Sequence, residues 1–267
     1  MTIPIKKVNT DEFTMNYFTF GKGEKVFVIL PGLSVQSVMT SAEVIAKAYE
    51  IIAKDFTVYV FDRRNELPQS YSVYDMAVDT AEALEALGLK DVYLFGASQG
   101  GMIALAITAK HPELVKKLML GSSSARITNE QYKSINKWLD LAKRKERVQL
   151  NLEMGRVLYP EALFEKFKDT LASLGESITD KDLQRFIVFA EGTKNFDISE
   201  RIAGINRPVL ALGAADDQVL PNAAEELEEL FSGKDNFECY LYNGFGHAAF
   251  DTAPDYKERL LSFMLNE

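Results

Sequence analysis

The chain has 267 residues, 47% apolar and 26% charged, which suits a soluble α/β domain with room for a large insertion. Thirty-nine acidic against 30 basic residues leave a net charge of −9, which argues against a nucleic-acid partner, because phosphate-backbone binding needs clustered Lys and Arg. A single cysteine, Cys239, excludes an internal disulfide framework; with no signal-peptide-like start and no apolar run approaching ~18 residues, a cytoplasmic protein without a membrane partner is expected.

Residues 13–20 alternate as a strand, and 21–24 read as a turn. Residues 25–30 (Lys-Val-Phe-Val-Ile-Leu) form a continuous apolar run, as in a strand buried on both faces, and lead into Pro31-Gly32-Leu33-Ser34. A helix is predicted over 41–53, with Ala42, Ile45, Ala46 and Tyr49 at helical spacing. The next strand, 56–61, is closed by Asp62-Arg63-Arg64. An amphipathic helix over 73–87 stops at Gly88.

The most informative stretch follows. Residues 91–95 (Asp-Val-Tyr-Leu-Phe) read as a buried strand, and 102–111 read as a helix that ends before Pro112. Between them lies Gly96-Ala97-Ser98-Gln99-Gly100-Gly101. A G-x-S-x-G at a strand-to-helix turn is the context of a nucleophile elbow. Side chains at 96 and 100 would collide with the neighbouring strand or helix, so the turn requires glycine, and Ser98 is held in a strained conformation at the carboxyl edge of a sheet.

A further strand is predicted over 114–120, after which the strand–helix alternation stops. Residues 127–199 carry helical signals only. Thr128-x-x-Gln131 is a capping box ahead of Tyr132, Ile135, Trp138, Leu139 and Ala142 at 3–4 spacing. Pro160 and Gly175 bracket a second helix, and Thr179 and Gly192 a third. The charge run 143–147 is expected on a solvated helix face. Trp138, Met154, Tyr159, Phe186 and Phe189 are expected to pack within this insertion, some of them facing Ser98. The sheet resumes at 207–212. A helix over 222–231, a last strand over 237–242, the loop Asn243-Gly-Phe-Gly-His247 and a closing helix over 254–265 complete the chain.

A serine hydroxyl needs a base within hydrogen-bond reach, and only two histidines are present. His111 closes the helix after the elbow, where a structural role at the helix C-terminus is expected. His247 follows the last strand at the catalytic edge and is the expected general base. An acid must then fix the imidazole. Asp216 and Asp217 both follow the penultimate strand at that edge.

The elbow, a strand-end acid and Gly246-His247, in that order, resemble the α/β-hydrolase superfamily with a helical cap, over nearly the whole length. The resemblance implies a doubly wound, mostly parallel eight-stranded sheet. It divides the chain into a core of residues 1–126 and 200–267 and an inserted cap of 127–199. It also implies a catalytic set of Ser98, Asp217 and His247. Asp217 is preferred because Gln-Val-Leu-Pro trails it, although three residues counted from Gly213 would select Asp216. The oxyanion donors implied are the backbone N–H groups of Leu33 and Gln99. Two loops depart from the family pattern: Pro31-Gly32 replaces the more usual His-Gly, and 62–68 lacks G-x-G. No cofactor and no metal are implied.

The expected activity is hydrolysis of a small-molecule carboxylic ester or thioester through an acyl-enzyme on Ser98. The alternatives on the same triad are carbon–carbon bond hydrolysis, lactonase or perhydrolase chemistry, and a slow-turnover ligand-binding receptor. Oligomeric state is not readable from the chain.

Overall fold

The computed structural model describes residues 2–266; Met1 and Glu267, the ends of the expected core segments, lie outside the described residues. Eight strands form one sheet: β1 (Lys6–Asn9), β2 (Thr14–Gly21), β3 (Lys25–Leu30), β4 (Phe56–Arg64), β5 (Val92–Ala97), β6 (Val115–Gly121), β7 (Val209–Ala214) and β8 (Phe237–Tyr242). Their spatial order is β1-β2-β4-β3-β5-β6-β7-β8. β1 and β2 pair antiparallel, β2 joins β4 antiparallel, and β3 to β8 run parallel. The expected eight-stranded, mostly parallel sheet is therefore present.

Burial on both faces explains the apolar runs. β5 and β7 are buried at every position. Alternate residues enter opposite cores. Val28, Leu30, Leu94 and Leu118 face a core shared with α2 (Val73–Ala86) and α3 (Gln99–Lys110). Phe27, Ile29, Phe95 and Met119 face the other core with Tyr49 and Ile52, which follow α1 (Ala42–Ala48). The helix predicted over 41–53 is thus shorter than expected, ending before a turn and a short 3-10 segment at Ile52–Lys54.

Between β6 and β7 the chain forms four α-helices: α4 (Gln131–Lys143), α5 (Arg147–Leu158), α6 (Glu161–Glu176) and α7 (Asp180–Gly192). Thr128 and Gln131 do exchange side-chain-to-backbone hydrogen bonds ahead of α4, at 3.0 and 3.3 Å. Thr179 opens α7 with a second capping box, closed by Asp182. Ile135, Trp138, Met154, Phe186 and Phe189 join the hydrophobic core that covers the α3 face, so these helices share a core with the sheet. The charge run 143–147 lies across the α4–α5 turn, where Lys145 adopts φ 60°, and not along a helix face. Lys143 pairs with Glu191, Lys145 and Arg147 with Asp180, and Arg144 with Asp140 and Glu146.

After β7 come α8 (Ala223–Leu230), β8, the one-turn α9 (Ala249–Thr252) and α10 (Tyr256–Leu265). Strand order reverses between β3 and β5, because β4 lies on one side of that pair and β6 on the other. Such a switch point opens a crevice at the carboxyl edge of a parallel sheet. The loop at Pro31 and the turn at Ser98 stand on its two sides.

Candidate active site

Ser98 sits between β5 and α3 with φ 51° and ψ −122°, a conformation that costs a non-glycine residue about 1–3 kcal/mol. The surroundings hold it there. Its N–H donates to the Gly121 carbonyl at 2.7 Å, and its own carbonyl accepts from the Ser123 hydroxyl at 2.8 Å. The flanking glycines are sterically obligatory: a Cβ on Gly96 would lie 2.2 Å from the Gly100 carbonyl oxygen, and one on Gly100 would lie 2.1 Å from that of Leu30. The Ser98 side chain is half-buried beside Gly32, whose Cβ would stand 3.2 Å from that of Ser98.

Two backbone amides adjoin this pair in the chain: that of Leu33, which follows Gly32, and that of Gln99, which follows Ser98. Leu33 follows β3 by three residues, and Gln99 opens α3. Neither backbone N–H donates to an acceptor among the described residues. For Gln99 the reason is general, since the first amides of a helix have no intrahelical partner. Unpaired amides beside a buried turn can receive an anionic oxygen.

His247 is 1% exposed. Gly244 and Gly246, with φ 80° and 63°, supply the left-handed turns that carry the chain from β8 back to the carboxyl edge. The Ala248 N–H then donates to the Leu158 carbonyl at 3.0 Å and ties this loop to the end of α5. His247 Nδ1 lies 2.7 Å from Asp217 Oδ2. The other carboxylate oxygen of Asp217 accepts from the Val219 and Leu220 amides at 2.8 and 2.9 Å. Burial pushes the Asp217 carboxyl upward, but His247 and these two amides outweigh it and hold the group below the usual carboxylate range. A carboxylate accepts only, so Nδ1 carries a proton, and in the neutral imidazole Nε2 is then the acceptor.

Asp216 is exposed and points elsewhere. Its carboxylate receives the Gly244 and Gly246 amides at 3.3 and 3.2 Å. The structure thus brings Asp217, not Asp216, to His247. His111 sits at the far end of α3, 3.4 Å from Glu113. Among the described residues Glu85, His111 and Glu113 place potential ligand atoms within 4.8 Å of one another, at an exposed position at that far end.

Sequence reasoning missed a polar network next to the elbow. Arg63, 6% exposed, donates through Nη2 to the Pro31 carbonyl and to Gln99 Oε1, both at 2.8 Å. Gln99 Nε2 donates to the Phe189 carbonyl at 2.8 Å and to Thr193 Oγ1 at 2.6 Å, reaching α7 and the residue that follows it. Asp62 pairs with Arg185 of α7 and accepts from the Ser37 hydroxyl at 2.5 Å. The available signal was a charged triplet, 62–64, at the carboxyl end of a buried strand.

A family model described as the alpha/beta hydrolase fold matches residues 25–254. The chain belongs to this family. This α/β hydrolase resembles a putative carbamate hydrolase RutD of Serratia proteamaculans, at 29% identity over 228 residues, 79% of this chain and 81% of that protein. It also resembles the serine hydrolase BPHL of Mus musculus, at 28% identity over 153 residues, 55% of this chain and 52% of the other. Among solved structures, the α/β hydrolase MGS-M2 from a Medee basin deep-sea metagenome library superposes with a TM-score of 0.86 at 20% identity, covering 98% of both chains. The enol-lactonase of Burkholderia xenovorans LB400 superposes at 0.82 and 17% identity, over 98% of this chain and 100% of that one. These structural likenesses concern the fold. With the sequence relatives, the family identifies the chain as a hydrolase of the α/β fold. Among the described residues, no helix is long and apolar enough to cross a membrane.

Proposed function

We propose that this α/β hydrolase cleaves a small carboxylic ester or thioester through an acyl-enzyme on Ser98. The observation that carries the reading is the buried 2.7 Å contact between His247 and Asp217, at the strand edge where the strained turn presents Ser98. In this scheme His247 Nε2 takes the Ser98 proton as the hydroxyl attacks the carbonyl carbon. Asp217 holds the tautomer and stabilises the imidazolium. The carbonyl oxygen, now negative, is received by the N–H groups of Leu33 and Gln99. The tetrahedral intermediate collapses, the imidazolium returns its proton to the leaving oxygen or sulfur, and water repeats the sequence on the acyl-enzyme.

In the same reading, residues 127–199 form a helical cap inserted into a core of 1–126 and 200–267. Hydrogen bonds from Gln99 to Phe189 and Thr193, and from Ala248 to Leu158, support a cap seated over the strand edge. Buried Phe186 and Phe189 support an apolar acyl site beneath it. No cofactor or metal takes part in the scheme.

A carbamate is the second reading, favoured by the name of the Serratia relative, which the chain matches over most of its length. Ester and carbamate present the same carbonyl to the same donors and differ in the nitrogen beside it. The deciding experiment is hydrolysis of matched short p-nitrophenyl esters, the corresponding thioesters and N-alkyl carbamates, each with Ser98→Ala as control. Ester or thioester turnover that dominates and vanishes in Ser98→Ala supports the first reading. Carbamate turnover that exceeds both selects the second. Activity that persists in Ser98→Ala overturns both.

A further inference from the structure

Arg63 is a buried cation without a carboxylate of its own. The neighbouring Asp62 gives its side chain to Arg185, to the Ser37 hydroxyl and to the Arg63 backbone N–H, and not to the Arg63 guanidinium. That guanidinium instead meets two neutral oxygens, and its Nε has no partner among the described residues. Burial pulls the pKa down to about 10, with Asp62 opposing and Arg185 adding to the fall, so the group stays charged at neutral pH. A buried, unpaired charge is costly unless a compensating one arises nearby.

The positions of the two oxygens suggest what that compensation is. The Pro31 carbonyl lies in the loop that leads to the Leu33 N–H. Gln99 Oε1 belongs to the residue whose own N–H is the other proposed donor. One nitrogen, Arg63 Nη2, therefore fastens both sides of the crevice at 2.8 Å. The amide of Gln99 has a single consistent orientation. Arg63 can only donate, so Oε1 must face it, and Nε2 then serves the Phe189 carbonyl and Thr193 Oγ1. Gln99 is consequently anchored on two sides, at β4 and at the end of α7.

We propose that Arg63 is a positioning residue for the oxyanion hole: it sets the Leu33 and Gln99 amides relative to each other, and its charge favours the negative oxygen that forms between them. It touches neither substrate nor Ser98; its effect is transmitted through Pro31 and Gln99. This inference rests on the assignment of Ser98 and the two amides given above. A pre-arranged charge in a water-poor site needs no reorganisation when the anion appears, which is why such groups act on the transition state more than on the bound substrate.

The test is inactivation of the full-length protein by a fluorophosphonate, with kinact and KI measured separately across pH. As Ser98 Oγ attacks phosphorus and gives its proton to His247, negative charge builds on the phosphoryl oxygen in the hole, and it disperses again as the P–F bond breaks and fluoride leaves. Arg63→Met is expected to lower kinact about 10²-fold, the scale of a lost oxyanion donor, with KI little changed. Arg63→Lys is expected to restore part of that rate near neutral pH and to lose it as pH rises, because a buried lysine gives up its proton more readily than arginine. Wild type should show no such limb below about pH 9, because its guanidinium keeps its proton up to about 10. A folded Arg63→Met protein with an unchanged kinact contradicts the proposal, as does a loss that lysine restores at no pH. Should Arg63→Met not fold, the Arg63→Lys profile decides alone: a new basic limb supports the proposal, and a profile parallel to wild type contradicts it. Absence of labelling at Ser98 in wild type would instead remove the underlying reading, and this inference with it.

Discussion

Asp217 and His247 meet at 2.7 Å with almost no solvent access, while Asp216, one residue earlier, is exposed and bound to the Gly244 and Gly246 amides. Two adjacent carboxylates thus hold opposite ends of one loop: Asp216 shapes its glycine turn, and Asp217 meets the imidazole that the turn delivers.

This division separates their mutants. Asp217→Asn should lower kcat by roughly 10⁴-fold, because the amide no longer enforces the tautomer that leaves Nε2 free. Asp216→Asn keeps an acceptor for one glycine amide and should retain most of the activity. Steady-state kinetics of both variants on one p-nitrophenyl ester decide the matter. The reverse ranking would contradict the proposed triad.

Much of this site was legible in the chain, and the limits were physical. Ser98 announces itself because a tight strand-to-helix turn leaves no room for a Cβ at 96 or 100. His247 stood out through scarcity, with one competing histidine. Asp216 and Asp217 could not be separated from sequence, because a one-residue difference on a loop is decided by backbone direction, which no periodicity encodes. In the fold, β1 was missed: only Val8 of its four residues is buried, so the strand has no alternation to display. Helix α5 was missed because its buried face, Leu150, Glu153, Met154 and Gly155, carries a charged residue and a glycine among its apolar positions. The Arg63–Gln99 bond joins residues 36 positions apart and leaves no local pattern.

Acid should weaken the fold through Asp217. Its carboxyl is held below the ordinary range, so the unfolded chain takes up this proton before the folded one does. The associated stabilisation is full above the unfolded pKa of about 4 and is lost as pH falls further, through the folded value. Urea unfolding at a series of pH values should show the stability difference between wild type and Asp217→Asn shrinking below about pH 4. A difference independent of pH would contradict this.

The elbow glycines should tolerate nothing larger. In Gly100→Ala the new Cβ would stand 2.1 Å from the Leu30 carbonyl oxygen and 2.6 Å from that of Pro31, both backbone atoms that cannot swing aside. A loss of stability above about 4 kcal/mol, or no soluble protein, is expected. Gly204→Ala is the control, since its Cβ would meet nothing within 4 Å, and its melting temperature should stay close to wild type. Equal melting temperatures for the two variants would contradict the steric account.

Cys239 should be chemically quiet. Burial, the largest cause, together with Glu228 and Glu225, pushes its thiol up to about 12, so almost no thiolate exists near neutral pH. Reaction with a thiol-exchange reagent near about pH 8 should be slow in the native protein and fast in urea. Rapid modification without denaturant would contradict the assigned environment.

The central claim is that Ser98 is a nucleophile activated by His247. The most direct measurement is fluorophosphonate labelling of the wild-type protein, with the modified residue located by peptide mass spectrometry and with Ser98→Ala and His247→Ala treated in parallel. The expected result is a single adduct on Ser98 that is absent in Ser98→Ala and formed far more slowly in His247→Ala. An adduct on another residue, or labelling of Ser98 at an undiminished rate without His247, would contradict the account.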